Sequence, residues 1–392
     1  MAKKNNIPEV DILIDEEAGV IREVHPYDEA INKARHMRSK KGHERRVNAS
    51  IYAVLIIMSI IWLCPFVFLV LQSFRGESGG QVAYVLPKQW TLDNYAFLFE
   101  GVGFSLQLLV KDAVAIIVTA LTNLAGILGI VACLRRKQKN PLEKNKSNLK
   151  LALLVFAVMM LINFMRAVDS TNCNFVRWFI NTLTIALFCS VIQTIMVLSV
   201  SYSLSRIRFK GRKLIMNVVL VLGMFPGFLT MIVLYYLLST LGLTQAGAVP
   251  GLILISCASS GMGYYISKGF FDTIPKSLDE SARIDGATRS QVFLKIIMPM
   301  AKPIVIYTIL MAFMGPWGDY VFASYVAFGN PSGYNVAVGL YRWVNTNDYA
   351  AAGGMFTKFC AGGVLVAIPI TALFIALQKY YVEGVTGGAV KG

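Results

Sequence analysis

The chain has 392 residues, 56% of them apolar and only 15% charged, with a formal net charge of +15 and a mean hydropathy of +0.58. Soluble domains run nearer to about 45–50% apolar and 25% charged. These figures exclude an ordinary soluble enzyme, a disordered polar chain and a disulfide-stapled secreted domain, and they point to an all-α integral membrane protein. Cys64, Cys133, Cys189, Cys257 and Cys360 sit in apolar runs and no C-x-x-C occurs, so neither a disulfide framework nor a metal site is expected. The three histidines, His25, His36 and His43, all precede the first apolar run.

Residues 1–46 read as a hydrophilic tail with no cleavable signal peptide. Its basic stretch, Lys33 to Arg46, suits an anionic lipid surface. A bilayer core takes roughly 20 apolar residues as a helix, and Ile51–Leu71 is the first such run. Residues 47–100 comprise this span and a loop, and residues 101–176 hold two more apolar runs, Ala113–Leu134 and Leu151–Val168. Residues 177–379 form the main body. Trp178–Ser205 is its first span, and Leu214–Ser267 is too long for one helix. Gly242, Thr244, Gln245, Gly247 and Pro250 divide that run into two. Ile304–Phe328 and Gly353–Gln378 follow, interrupted by Asp319 and Lys358, and residues 380–392 form a tail. The pattern predicts eight spans. Pro65, Pro226 and Pro369 fall inside spans and are expected to kink them.

Lys and Arg crowd the tail 1–46 and the loops after the second, fourth and sixth spans, and are sparse in the loops between. The positive-inside rule then puts both termini in the cytoplasm. Positive charge spread over separate loops is a topology signal, not a nucleic-acid surface.

One basic loop, residues 270–303, is too polar to span and too patterned for a linker. Ser277-Leu278-Asp279-Glu280 matches the S-x-x-E capping box, Gly286 suits a helix end, and Thr288-Arg289-Ser290-Gln291 matches a second box. Val292, Phe293, Ile296 and Ile297 give the second helix an apolar face, and Pro299 is expected to end or kink it. By itself this helix–turn–helix fits either an amphipathic loop on the lipid surface or a knob that docks into a partner protein.

The run Glu280-Ser281-Ala282-Arg283-Ile284-Asp285-Gly286-Ala287, with Phe293, Ile296 and Pro299 beyond it, resembles the EAA loop of permease subunits of binding-protein-dependent ABC carbohydrate importers. Ser281 departs from the first alanine of that motif. Leu86-Pro87, Thr91 to Tyr95, Arg177 to Thr182 and Ser205 to Gly211 resemble other segments of the family. Tyr334 to Leu340, Pro369 to Thr371 and the ending Gly384 to Gly392 are similar to its maltose-type members. The likeness covers residues 47–100 and 177–392; the tail 1–46 and the pair of spans near 101–176 stand outside it.

The resemblance implies a type I importer permease core in a bacterial cytoplasmic membrane. It implies a second permease subunit, two ATPase subunits, an extracellular sugar-binding protein and a carbohydrate substrate of malto-oligosaccharide type. It assigns ATPase coupling to Glu280, Ala282, Asp285, Gly286, Phe293, Ile296 and Pro299, and an ATPase-contacting tail to Gly387, Gly388 and Lys391. It assigns the binding-protein contact to the loop bearing Tyr334, Asn335, Gly339 and Tyr341. No G-x-x-x-x-G-K-[ST] occurs, so ATP and Mg are expected on the separate ATPase chain and no catalytic residue or cofactor on this one. Ser78 to Gln81 reads as a flexible turn. In the broken span Asp319 either accepts sugar hydroxyls, with Trp317 and Tyr320 stacking on the ring, or pairs with a polar group on another helix or a partner subunit. An ion-driven secondary carrier and a non-transporting membrane regulator are the alternative functions; the lack of intramembrane acid pairs and of an internal repeat weighs against the first.

Overall fold

The structure, a computed structural model, describes residues 11–15, 20–24, 26–77, 85–104, 168–170, 174–258, 261–345 and 349–389, with isolated positions between 120 and 131. The expected spans Ala113–Leu134 and Leu151–Val168, the turn Ser78 to Gln81 and Lys391 fall outside these residues, apart from those isolated positions. Two units are distinguished, Met1–Phe68 and Leu69–Gly392.

In the first unit, strands β1 (Asp11–Asp15) and β2 (Val20–Val24) form an antiparallel hairpin with Asp11 opposite Val24. Helix α1 (Pro26–Ser73) follows and runs beyond this unit. Proline is at home at a helix start, where its missing N–H has no partner to lose. Residue 46, where the sequence places the end of the tail, falls within this helix. At 48 residues α1 is about 72 Å long. Ile51, Tyr52, Leu55, Trp62 and Phe66 are exposed.

The second unit is a helical body. Its short helix α2 (Asp93–Leu98) works as a clip. Buried Asn94 donates through Nδ2 to the carbonyls of Ser73 (3.0 Å) and Arg75 (2.8 Å), and accepts from Thr357 Oγ1 at 2.9 Å. The Lys358 ammonium lies 3.9 Å from the centre of the Phe97 ring. A charge expected to interrupt a span is instead set against an aromatic face. Beyond the clip, β3 (Val102–Phe104) pairs antiparallel with β4 (Val168–Ser170), Phe104 opposite Val168. The chain therefore leaves and re-enters the body at one stitched point.

Helix α3 (Phe175–Arg206) is the axis of this unit. Its 32 residues span about 48 Å. Phe175, Trp178, Ile185, Ala186 and Cys189, in its first half, belong to one hydrophobic core, and Leu198, near its end, belongs to another. After it come α4 (Arg212–Gly223), α5 (Gly227–Thr240), α6 (Ala248–Ala258) and α7 (Gly261–Thr273). The first helix expected in Leu214–Ser267 is not merely kinked. α4 and α5 meet at 100°, because Pro226 is extended (φ −57°, ψ 112°) and has no N–H to carry the ladder on.

The remaining helices are α8 (Ser277–Ile284), α9 (Arg289–Met300), α10 (Lys302–Gly318), α11 (Val321–Ala327), α12 (Val336–Val344) and α13 (Tyr349–Ala389). α9 and α10 meet at 82°. Among the described residues Val47–Ser73, Phe175–Arg206, Gln245–Thr273 and Gly354–Lys379 are long and apolar enough to cross a membrane, which makes four candidate spans, or six where each bent pair is counted as one span. The Ile304–Phe328 run is not one helix, since the ladder stops at Gly318 and restarts at Val321.

The first core packs α3 against α6, α10, α11, α12 and α13. Trp178 enters it at the one place where α12 has no side chain: a Cβ built on Gly339 would lie 1.9 Å from Trp178 Cε3. Trp178 Nε1 also donates to Pro331 O at 3.0 Å.

Two outcomes follow. Replacing residues 105–167 by an Asn-Gly turn between Phe104 and Val168 should leave the melting temperature in detergent within about 3 °C, the shift produced by ~1 kcal/mol in a body of this size. Gly339→Ala should lower it by roughly 3–10 °C through overpacking against Trp178, whereas Gly315→Ala, with nothing within 4 Å of the added Cβ, should not lower it.

Candidate functional site

The patterned segment 270–303 folds as two short helices joined by a tight turn. At the start of α8 the backbone of Lys276 is already helical (φ −69°, ψ −24°) and no side chain caps it. An N-cap residue needs non-helical backbone, so the expected Ser277–Glu280 box does not form. The end of α8 follows expectation. Gly286 is left-handed at φ +82°, Ala287 N bonds back to Ala282 O at 2.9 Å and Gly286 N to Arg283 O at 3.1 Å. These are the paired bonds of a Schellman stop. The second box does form: Gln291 N donates to Thr288 Oγ1 and Thr288 N to Gln291 Oε1.

α9 begins as an α-helix, widens into a π-helix over Val292–Ile297, and narrows again over Met298–Met300. Pro299 was expected to end or kink it, yet the helix runs on to Met300 and the break falls at Ala301. A proline ring collides with the carbonyl four residues back in a regular α-helix. The π-turn immediately before Pro299 bonds Met298 N to Phe293 O, five residues back, and relieves that crowding.

The residues of the motif part into two faces. Ala282, Val292 and Ile297 are buried, with Leu278, Phe293, Ile296 and Ala287 partly buried beside them, against Leu198 and Tyr202 of α3 and Phe271 of α7. The Tyr202 and Phe293 rings lie 4.6 Å apart. On the outer face Glu280, Asp285, Gly286 and Pro299 are exposed. With them stands Ile284, 86% exposed, and Leu294, 63% exposed. Ile284 is thus an open apolar side chain on a mostly polar helix. Ile284 was not singled out from sequence, although its i, i+4 relation to Glu280 places both on one face.

The end of α3 secures the hairpin with polar bonds as well. Arg206 Nη2 donates to Phe271 O (2.9 Å) and Ile274 O (2.7 Å), and its Nη1 pairs with Asp279 Oδ2 at 3.2 Å. Ser205 Oγ donates to Asp272 Oδ1 at 2.5 Å, and Lys268 pairs with the other oxygen of Asp272. Sequence showed Arg206 only as one cation in a basic turn; its partners lie 65 to 73 positions away.

At the other end of α3, the expected path and loop residues hold the fold together. Trp317 is buried against Phe179, ring centres 5.2 Å apart, so it is not free to stack on a sugar. Asp319 Oδ1 accepts from Phe322 N at 3.2 Å, a bond to the backbone three residues on that caps α11, not a polar side chain of another helix. Tyr320 packs on Tyr341 at 4.2 Å. Asn335 is buried, donates to the carbonyls of Asp319 (2.6 Å) and Pro316 (3.3 Å), and caps α12 through Val338 N. Asn181 Nδ2 donates to the carbonyls of Ser332 and Tyr334, and Val336 N donates to Thr182 Oγ1. Tyr334, Asn335 and Gly339 therefore face inward, and Tyr341 and Arg342 are the exposed residues that follow them. Gly387 and Gly388 lie in the last turn of α13. Among the described residues no group of three or more His, Cys, Asp or Glu is placed to hold a metal ion.

Residues 195–386, which include the whole hairpin, match the family model described as binding-protein-dependent transport system inner membrane component. The chain is 38% identical over 221 residues to the galactooligosaccharides transport system permease protein GanQ of Bacillus subtilis, covering 56% of this chain and 76% of that protein. It is 36% identical over 230 residues to the maltodextrin transport system permease protein MdxG of the same organism, covering 59% and 80%. In fold it is similar to a chain from the crystal structure of a bacterial ABC transporter involved in the import of the acidic polysaccharide alginate, with TM-score 0.54 and 19% identity over 86% of this chain and 98% of that one. On these matches the chain belongs to the family of binding-protein-dependent transport system inner membrane components.

Proposed function

We propose that this chain is one of two permease subunits that line the pore of an ATP-driven importer of oligosaccharides, malto-oligosaccharides first among them. The observation that carries the reading is the two-faced hairpin: one face is seated on α3, and the other displays Glu280, Ile284, Asp285 and Gly286. A knob that is rigidly mounted, apolar at its tip and acidic at its rim suits a cleft in a separate ATPase subunit. ATP and Mg belong to that subunit, and this chain performs no covalent chemistry. Closure of an ATPase pair pulls the seated hairpins together. The rigid-body motion that follows switches the pore between inward and outward access.

The names of the relatives support the substrate class, maltodextrin for one and galactooligosaccharides for the other. A sugar-binding protein delivers the substrate from outside to the face bearing Tyr341 and Arg342. The end of α13, with Gly387 and Gly388, reaches toward the ATPases. The charge asymmetry of the loops supports a cytoplasmic hairpin and cytoplasmic termini in a bacterial cell.

Two substitutions on the open face test this. Ile284→Asp and Glu280→Lys should cut ATPase co-purification or sugar-stimulated hydrolysis at least about tenfold, the effect of losing an interface anchor, with an unchanged melting temperature. Gly286→Val forces a left-handed backbone on a β-branched residue at a cost of about 1–2 kcal/mol and should weaken coupling too. Full coupling in all three variants, or sugar uptake driven by an ion gradient without ATP, would overturn the proposal.

A further inference from the structure

We infer that Arg206 is a positioning residue that locks the hairpin to α3 and α7, so that a push on α8 moves the three helices as one body. This rests on the coupling role proposed above, but its evidence is separate. The Arg206 side chain is only 5% exposed, yet it is not packed in apolar surroundings alone. Its guanidinium joins three elements. It grows from the last residue of α3, donates to the carbonyls of Phe271 and Ile274 where α7 ends, and pairs with Asp279 in the first turn of α8.

Helix ends leave carbonyls that need outside donors. The linker between α7 and α8 is only Ile274 to Lys276. Without a clamp that three-residue joint would act as a hinge, and a force on α8 would bend it rather than turn α3. A planar fork with several fixed donors can hold two carbonyls and a carboxylate together, whereas a lysine ammonium is a single point charge. The neighbouring Ser205–Asp272 bond fastens the same turn of α7 from the side, and Tyr202, one turn earlier on α3, meets Phe271 and Phe293. Among the ion pairs of the described residues, Arg206–Asp279 is the one that joins this seat to α8.

The test uses the full transporter, reconstituted with its companion permease and ATPases, carrying spin labels at Lys295 on the hairpin and Val191 on α3, both exposed. Electron–electron distance measurements should give one narrow distribution in the wild type, unchanged by Mg-ATP with vanadate. Arg206→Gln should broaden the distribution and make it shift with nucleotide. Arg206→Lys should restore part of the narrowness, and Asp279→Asn, which leaves the carbonyl bonds in place, should give an intermediate width. In the same vesicles Arg206→Gln should keep hydrolysing ATP while labelled maltotriose moved per ATP falls at least about fivefold, the low end for losing one coupling term. A wild-type distance that moves with nucleotide, or an Arg206→Gln distribution as narrow as the wild type, would overturn the inference. Should Arg206→Gln not assemble, the Lys and Asn variants decide it by the same widths. Absence of any ATPase on the wild-type chain would defeat the proposed function instead, and the nucleotide-free widths would still report on the joint.

Discussion

The structure turns on what happens at the two ends of α3. A helix of 32 residues is stiff along its length, but it conveys displacement only if both ends are fixed to what must move. At its start, Trp178, Asn181 and Thr182 hold the 330–336 segment through four hydrogen bonds and the notch at Gly339. At its finish, Ser205 and Arg206 hold the end of α7 and the start of α8. Both seats combine aromatic packing, which sets distance, with polar bonds to backbone carbonyls, which set orientation. Inside a membrane protein, unpaired carbonyls cost more than they do in water, so each bond is both a fastener and a requirement of burial.

The hairpin shows how one short motif serves two surfaces. On α8 the buried side chain is Ala282, with Leu278 partly buried beside it, while Glu280 and Ile284 are among the exposed ones. The Schellman stop at Gly286 reverses the chain within a few residues and returns α9 to the same seat. The π-turn then lets α9 pass through Pro299 and meet α10 at a sharp angle. Small, acidic, glycine and proline positions in this segment thus have distinct physical reasons, and only some of them concern the partner protein.

The breaks in the spans obey a related rule. Irregular backbone at membrane depth survives where other groups satisfy it. Between α10 and α11 the gap is filled by the Asp319 carboxylate on Phe322 N and by Asn335 on the carbonyls of Pro316 and Asp319. A charged residue that looks like a ligand-binding group in the sequence is here a helix cap, and an asparagine in a supposed contact loop is the tie between two helices. The bend at Pro226 is of another kind, since Met224, Phe225 and Phe228 around it are exposed.

Much of this was legible in the residues. Apolar run lengths marked the spans, glycine at 286 and the Thr288 box marked the turn, and the order of residues from Glu280 to Pro299 marked the family, because each depends on local backbone chemistry or on nearest neighbours in sequence. Other features were not legible. The Ser277 box does not form because the backbone is already helical at Lys276. Tyr334, Asn335 and Gly339 turned inward, and Arg206 found carbonyls and a carboxylate far along the chain. Sequence by itself therefore determined which stretches are apolar enough to enter a membrane and where the patterned loop lies. Only the tertiary structure decided which face of that loop is held and which is offered, because a side chain's surroundings are set by helices distant in sequence that meet only when the chain folds.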